Sequence, residues 1–371
     1  MKYYIIAGEA SGDLHGSNLI KGLRETDPEA EIMAWGGDKM QGAGAMLRKH
    51  YKHLAIMGFV EVLGHLNTIR KNFRFAREDI LQFNPDVLIT IDFPGFNLRM
   101  AKWAHKNRIK TFHYISPNLW AWKKSRVYHI RRYVDKLFVI LPFEPDFYKD
   151  FDLDVVYEGH PLLDAVQQHT AAPFESFRKK YNLSEKPIVA ILPGSRKQEI
   201  SSMLPMMLQV ASQYPEYQYL IAGAPGINKE YYDKFIQNNK HALLIENATY
   251  DILHHAVSGM ITSGTATLEA ALFDVPQVVC YKINPVTFSI ARMVVKIRRF
   301  SLVNLIMKED VVTELIQHFM NFKNLKREFE AVVPGGGNHI LILDKYKQIR
   351  EKLGEQGVSK RIAQKMYAAL Q

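Results

Sequence analysis

The sequence predicts two doubly wound α/β domains, each a parallel sheet wrapped by helices. Three observations predict it. Short apolar runs alternate with longer amphipathic stretches along most of the 371 residues. The alternation lapses between residues 164 and 186 and then restarts. Several apolar runs also end in turns of small, hydroxyl-bearing or acidic residues, where open parallel sheets gather their ligands. A chain of this length is long for one hydrophobic core and comfortable for two.

In the first domain, residues 1–165, the patterning predicts strands at 3–7, 31–35, 86–91, 110–114, 136–140 and 154–157. Helical patterns lie between them, at 14–25, 58–83, 98–106 and 125–133. The second domain, 166–340, carries strand patterns at 188–192, 218–222, 242–245, 259–261 and 277–281. Its helical patterns fall at 197–213, 231–237, 251–255, 265–272 and 286–295. After Asn304 the pattern predicts helices only, broken at Val333-Pro334-Gly335-Gly336-Gly337, and residues 341–371 form a helical carboxyl-terminal segment.

The composition, 47% hydrophobic and 23% charged, is that of a soluble globular protein. A single cysteine, Cys280, excludes an internal disulfide framework and fits a reducing cytoplasm. It lies in the apolar run VPQVVCY, which suits a buried, inert thiol. The start of the chain shows no basic region followed by an apolar core and cleavage site, so no signal peptide is expected. No apolar run reaches the about 20 residues of a membrane span. The net charge of +10 fits a nucleic acid, an anionic membrane or a phosphorylated substrate. The basic residues are dispersed and no nucleic-acid recognition motif is present, so nucleic acid is not expected as a partner.

The first strand runs into AGEASGDLHG at 7–16. Gly8, Ser11 and Gly12 let the backbone approach a ligand, and Glu9 and Asp13 add carboxylates at that edge. The serine stands fourth in GEASG, which is not the nucleophile elbow, and the glycine spacing is not that of a dinucleotide loop. Ser11 or Asp13 would equally serve as a helix cap. The fourth strand, in DVLITIDFPGFN at 86–97, is continuously apolar and then ends in Asp92. A carboxylate at that point suits a general base, and the alternative is a turn-forming Asp before Pro-Gly. The segment HYISPNLWAWKKSR at 113–126 follows. Its Ser116 lies in a loop, and Trp120 and Trp122 beside Lys123, Lys124 and Arg126 suit a sugar face next to a phosphate, or else cover the core edge.

In the second half, AILPGSRKQE at 190–199 passes from a buried strand through Gly194, Ser195 and Arg196 into a helix. Backbone N–H groups at such a start favour an anion, and Arg196 adds a bidentate donor. TSGTATLE at 262–269 repeats the design with Gly264, Thr265 and Ala266, and Glu269 one turn later suits ribose hydroxyls. Two such turns in one half point to a nucleoside diphosphate. The alternative is plain capping by Ser195 and Thr265. No Walker A pattern is present. Asp152-Leu153-Asp154 reads as a solvated turn, and His254-His255 lacks metal-binding spacing.

These segments together resemble the lipid A disaccharide synthases, inverting glycosyltransferases of the GT-B fold class. The resemblance runs nearly end to end, through AGEASGD at 7–13, MGFVEVLG at 57–64, IDFPGFN at 91–97, HYISPNLWAWKKSRV at 113–127 and LPFE at 141–144. It continues through GHPLLD at 159–164, LPGSRKQE at 192–199, SGTATLEAAL at 263–272, YKINPVTF at 281–288 and SLVNLI at 301–306. It implies two domains facing a cleft, with UDP-2,3-diacylglucosamine as donor and 2,3-diacylglucosamine 1-phosphate as acceptor, joined by a β-1,6 linkage with release of UDP. It implies Asp92 as the base, with Glu9, Asp13 and Asn97 on the acceptor side. Arg196, Gly264, Thr265, Glu269 and Asn304 would hold UDP. It implies no metal and no cofactor, since UDP arrives on the donor and leaves as a product. A homodimer with exchanged carboxyl-terminal segments is also implied. Two positions depart from the family pattern: Val303 stands where proline is expected, and Gly95 where an acid is expected.

Because both substrates carry acyl chains, the stretch 57–75 gains a reading. Phe59, Val60, Val62, Leu63, Leu66 and Ile69 form an apolar face beside Arg70, Lys71 and Arg74, suited to a bilayer interface. A core helix with a solvated basic end is the alternative. The expected location is the cytoplasmic, inner face of the inner membrane, held peripherally.

Overall fold

The computed structural model describes residues 1–54, 66–236, 239, 241–284, 288 and 298–371. The chain forms two units. The first comprises Met1–Ala165 with Leu353–Gln371, and the second Val166–Lys352. The chain's final stretch, from Leu353 at the end of a helix, thus belongs to the first unit.

The first unit holds a seven-stranded parallel sheet in the order β3-β2-β1-β4-β5-β6-β7. Its strands are β1 (Lys2–Ala7), β2 (Glu31–Gly36), β3 (Met46–His50), β4 (Val87–Ile91), β5 (Lys110–Tyr114), β6 (Lys136–Val139) and β7 (Val155–Tyr157). The intervening helices are α1 (Ala10–Thr26), α2 (Asp38–Gly42), α3 (Leu66–Phe83), α4 (Pro94–Lys106), α5 (Arg126–Tyr133), α6 (Glu144–Lys149) and α7 (Leu162–Gln167). All five residues of β4 are buried, which is why its sequence, VLITI, is apolar without alternation. Tyr4, Ile6 and Leu88 of the sheet pack with Ala76 and Ile80 of α3 and Phe96 and Met100 of α4.

The second unit opens with α8 (Phe174–Tyr181) and builds a six-stranded parallel sheet in the order β10-β9-β8-β11-β12-β13. It contains β8 (Ile188–Leu192), α9 (Lys197–Ala211), β9 (Gln218–Gly223), α10 (Lys229–Ile236), β10 (Ala242–Glu246), α11 (Thr249–His255), β11 (Ala256–Thr262), α12 (Thr265–Leu272) and β12 (Gln277–Tyr281). It continues with α13 (Leu302–Met307), β13 (Glu314–Ile316), α14 (Phe322–Val332) and α15 (His339–Leu353), after which α16 (Val358–Ala368) follows in the first unit.

Two strands were not expected. β3 has a mixed, half-exposed face and pairs with β2, while β13 pairs in parallel with β12 through Val279 and Glu314. The tail beyond Asn304 is therefore not purely helical. Both are short edge strands, where burial on one side only removes the apolar signature. The helical patterns at 58–65 and 286–295 lie outside the described residues, apart from Phe288.

Strand order fixes where chemistry can occur. In both sheets the chain winds outward from a central strand, returns, and winds the other way. The switch falls between β1 and β4 in the first unit and between β8 and β11 in the second. Loops leaving those pairs diverge and open a crevice at the carboxyl edge.

One carboxylate caps the last helix from within the first unit. Asp164 accepts the N–H groups of Gly357 at 2.7 Å, Val358 at 3.1 Å and Ser359 at 2.7 Å, capping α16 from α7. α16 then lies against α1. A Cβ on Gly22 would stand 2.9 Å from the Ser359 carbonyl oxygen, so only glycine permits that approach. Replacing Asp164 by Ala strands three donors at once. The expected loss is about 2 kcal/mol, the upper range for a helix cap, read as a lower urea midpoint with an unchanged slope. An unchanged midpoint would show that the clamp carries no stability.

Candidate active site

At the first switch point, Ala7 of β1 lies in register with Ile91 of β4. Glu9 therefore emerges beside Asp92, although 83 positions of chain separate their numbers. Asp92 and Phe93 both have left-handed backbones, at φ 46° and 50°. Non-glycine residues adopt that region only where their surroundings impose it. Three contacts do so. The Asp92 N–H donates to the Tyr114 carbonyl at 3.0 Å. The Asn97 amide donates to the carbonyls of Ile6, Ile91 and Asp92 at 3.3, 3.1 and 2.8 Å. The Phe93 ring lies over Gly8, where any Cβ would meet it at 2.4 Å. Gly8 is thus needed for the ring that holds the Asp92 turn. Asn97 is fully buried and acts on the strand ends, not at the surface.

The Asp92 carboxyl is pushed up from 3.8 to about 6, mainly by desolvation and then by the Glu9 charge, with the Phe93 N–H opposing. The residue keeps partial exposure, so it can reach a ligand. A carboxyl of that strength is ionised at neutral pH yet holds a proton well, as a general base should.

Asp13 is buried and differently engaged. Its carboxylate accepts from the N–H groups of Gly37 at 2.7 Å, Met40 at 3.0 Å and Lys39 at 3.2 Å, capping α2. Glu9 is the N-cap residue of α1, and no side chain closes that end. Neither Ser11, which is exposed, nor Asp13 caps α1. Gly12 is buried, its Cβ position 3.1 Å from that of Ala7.

The loop after β5 divides its aromatics. Trp120 packs edge-on against Phe143, with centroids 5.2 Å apart, and serves the core edge. Trp122 is 38% exposed, with the Lys123 ammonium 4.6 Å and the Arg126 guanidinium 5.6 Å from its ring. Ser116 is buried, donates to the Pro117 carbonyl at 3.0 Å and shares a short hydrogen bond with the Tyr148 hydroxyl.

At the second switch point the two turns differ. After β8, Gly194 has φ 113°, a glycine conformation, and the next two N–H groups both point at Glu199. Ser195 and Arg196 donate to its carboxylate at 2.9 and 3.3 Å. This anion cradle is filled from within. The Arg196 side chain is 58% exposed and lies 3.6 Å from Glu199. After β11, Gly264 at φ 152° is the N-cap of α12, with no side chain closing the helix and open space in front of its Cα. Thr265 is exposed beside it and Ala266 half-buried. Neither Ser195 nor Thr265 is a cap. Patterning missed Glu199 because the residue three positions before it is an arginine, not a usual N-cap.

Glu269 accepts from the Tyr250 hydroxyl at 2.9 Å. Asn304 is buried and fully engaged. It donates to Val312 and Glu314 and accepts from the N–H groups of Val311 and Val312, all within 3.0 Å, shaping the loop that leads to β13. At the carboxyl ends of the neighbouring β9 and β10, Gly223–Asn228 with Glu246 and Asn247 line a hollow of about 300 Å³. The run Gly223-Ala-Pro-Gly226 directly after a strand is the signal that marks it.

Of the apolar face, Phe59, Val60, Val62 and Leu63 lie outside the described residues. Leu66 begins α3, and Ile69 is half-buried on it. No helix among the described residues is long and apolar enough to cross a membrane.

The family model for Lipid-A-disaccharide synthetase matches residues 3–367. The lipid-A-disaccharide synthase of Syntrophus aciditrophicus is 36% identical over 365 residues, covering 97% of this chain and 95% of the relative. That of Trichlorobacter lovleyi is 33% identical over 365 residues, with coverage of 97% and 95%. The solved UDP-GlcNAc 2-epimerase of Neisseria meningitidis superposes with a TM-score of 0.71 at 12% identity, covering 99% of this chain and 100% of that one. At that identity the likeness is one of fold, the GT-B arrangement of two parallel-sheet units. With both the family match and the relatives running almost the whole length, the chain belongs to the lipid-A-disaccharide synthetase family and is a glycosyltransferase of lipid A biosynthesis.

Proposed function

We propose that the enzyme joins UDP-2,3-diacylglucosamine to the 6-hydroxyl of 2,3-diacylglucosamine 1-phosphate, giving a β-1,6-linked disaccharide 1-phosphate and UDP. The observation that carries this reading is Asp92: a carboxyl raised to about 6, clamped at the switch point of the first unit with a second acid, Glu9, beside it. The acceptor hydroxyl loses its proton to Asp92 as its oxygen attacks the anomeric carbon. The bond from that carbon to the diphosphate breaks in the same step, and the electron pair leaves with UDP. One displacement inverts the centre and needs no enzyme nucleophile. Neither a metal nor a cofactor enters the scheme.

The first unit would take the acceptor. Trp122, with a cation on either side, suits the face of the acceptor sugar. Asp13, Asn97 and Ser116 support that side through the backbone they hold. The second unit would take UDP. Of its two turns, Gly264–Ala266 is open and suits the phosphates, whereas Glu199 fills the other and leaves Arg196 to contribute its side chain to the departing charge. Glu269 suits the ribose, and Asn304 shapes the loop nearby. The protein would work peripherally at the inner face of the inner membrane, as a homodimer.

UDP release from UDP-2,3-diacylglucosamine, with and without the monosaccharide 1-phosphate, tests the reaction. Release should require the acceptor. Asp92→Asn should lower it by about 10²–10⁴-fold, the usual share of a general base, while UDP still binds. Acceptor-independent release, or none, sinks the proposal. Full activity in the variant keeps the reaction and moves the base to Glu9.

The pH profile gives a second check. The base acts as carboxylate, so kcat/KM should rise with pH through a limb near 6. Glu9 raises the Asp92 pKa, so Glu9→Gln should move that limb to lower pH. An unmoved limb would separate the two carboxyls.

A further inference from the structure

α3 carries Arg70, Arg74 and Arg77 at a spacing of four and three residues, which places them on one helical stripe. Arg99 of α4 faces the same stripe, and with Phe73 and Glu78 the four arginines line a pocket of about 480 Å³. The Arg77 guanidinium lies 5.8 Å from the Phe73 ring and 5.7 Å from that of Trp103. Phe73 is in turn stacked on Phe96 at 4.2 Å, giving the pocket a firm aromatic wall. Among the described residues, no carboxylate lies within ion-pair distance of any of the four, Glu78 included. Pairing is available elsewhere on the same helix, where Asp79 takes Arg48 at 2.6 Å. Four like charges around one hollow repel each other, and a bound anion removes that repulsion.

The topology also orients the pocket. α3 ends just before β4 begins, so its amino-terminal half, with Arg70 and Arg74, lies toward the carboxyl edge of the sheet, as does Arg99 in the second turn of α4. Asp92 stands at that edge.

We propose that this pocket binds the phosphoryl group of a lipid headgroup, with the guanidinium forks on the phosphate oxygens and the aromatic wall against the carbon skeleton. The phosphate belongs either to the lipid acceptor or to a bilayer lipid. The proposal rests on the lipid-substrate reading above.

The test uses the full chain with Arg70, Arg74 and Arg99 changed to Gln, checked for unchanged melting and UDP affinity. A second variant with the same positions changed to Lys keeps the charge and loses the fork. The first probe is sedimentation with phosphatidylcholine vesicles with and without phosphatidic acid. The second is the KM for diacylglucosamine 1-phosphate in detergent micelles. The triple Gln variant should lose about fivefold in affinity per arginine in one of the two, with partial recovery in the Lys variant. Loss confined to vesicles assigns the pocket to the bilayer, and loss confined to the acceptor KM assigns it to the substrate. If both are unchanged while the wild type turns over, the pocket proposal falls and the reaction stands. If the wild type fails to turn over the acceptor, the reaction falls, and the vesicle measurement still decides the pocket.

Discussion

A parallel strand buried on both faces cannot carry a charged group along its length, and that constraint governs the rest of this structure. No charged side chain is buried within the strands at the switch points, and the few polar ones, Thr90 in β4 and Ser258 and Thr262 in β11, are neutral hydroxyls. Polar function is thereby confined to the residues that follow. Glu9, Asp92, Ser195, Arg196 and Gly264 all occupy that position. The winding order then decides which of these loops meet, and it brings Glu9 to Asp92 and the β8 turn to the β11 turn.

Asp92 shows how such a position is tuned. Its surroundings withhold water and add a like charge, and both raise its proton affinity. The turn that holds it is left-handed at two successive residues, a conformation sustained by Gly8, Phe93 and Asn97 acting together. A carboxylate and its scaffold are therefore not separable. Asp13 and Asn304 belong to the scaffold class, since backbone donors and acceptors occupy their polar atoms.

Asp92 was legible because an apolar run ends abruptly in an acid. The two turns of the second unit were legible because glycine and hydroxyl residues follow strands. What could not be read is which of the turns is already filled, because that depends on Glu199 folding back one helical turn. The role of Asp13 was equally hidden, for its partners are backbone N–H groups 24 to 27 positions later. β3 and β13 left no apolar trace. Three arginines of the basic pocket share a helical stripe in the sequence, but the fourth comes from another helix, and only packing joins them.

The Asp164 clamp has a consequence for how the protein is made. The first unit is discontinuous in the chain, since it needs α16 against α1. A ribosome delivers the whole of the second unit, through Lys352, before the last helix of the first has been synthesised. Every segment of the inserted unit is made before α16, whereas its host stays open until that final helix arrives. Until release, the Gly22 face of α1 lacks its covering helix, so the older half of the protein finishes last.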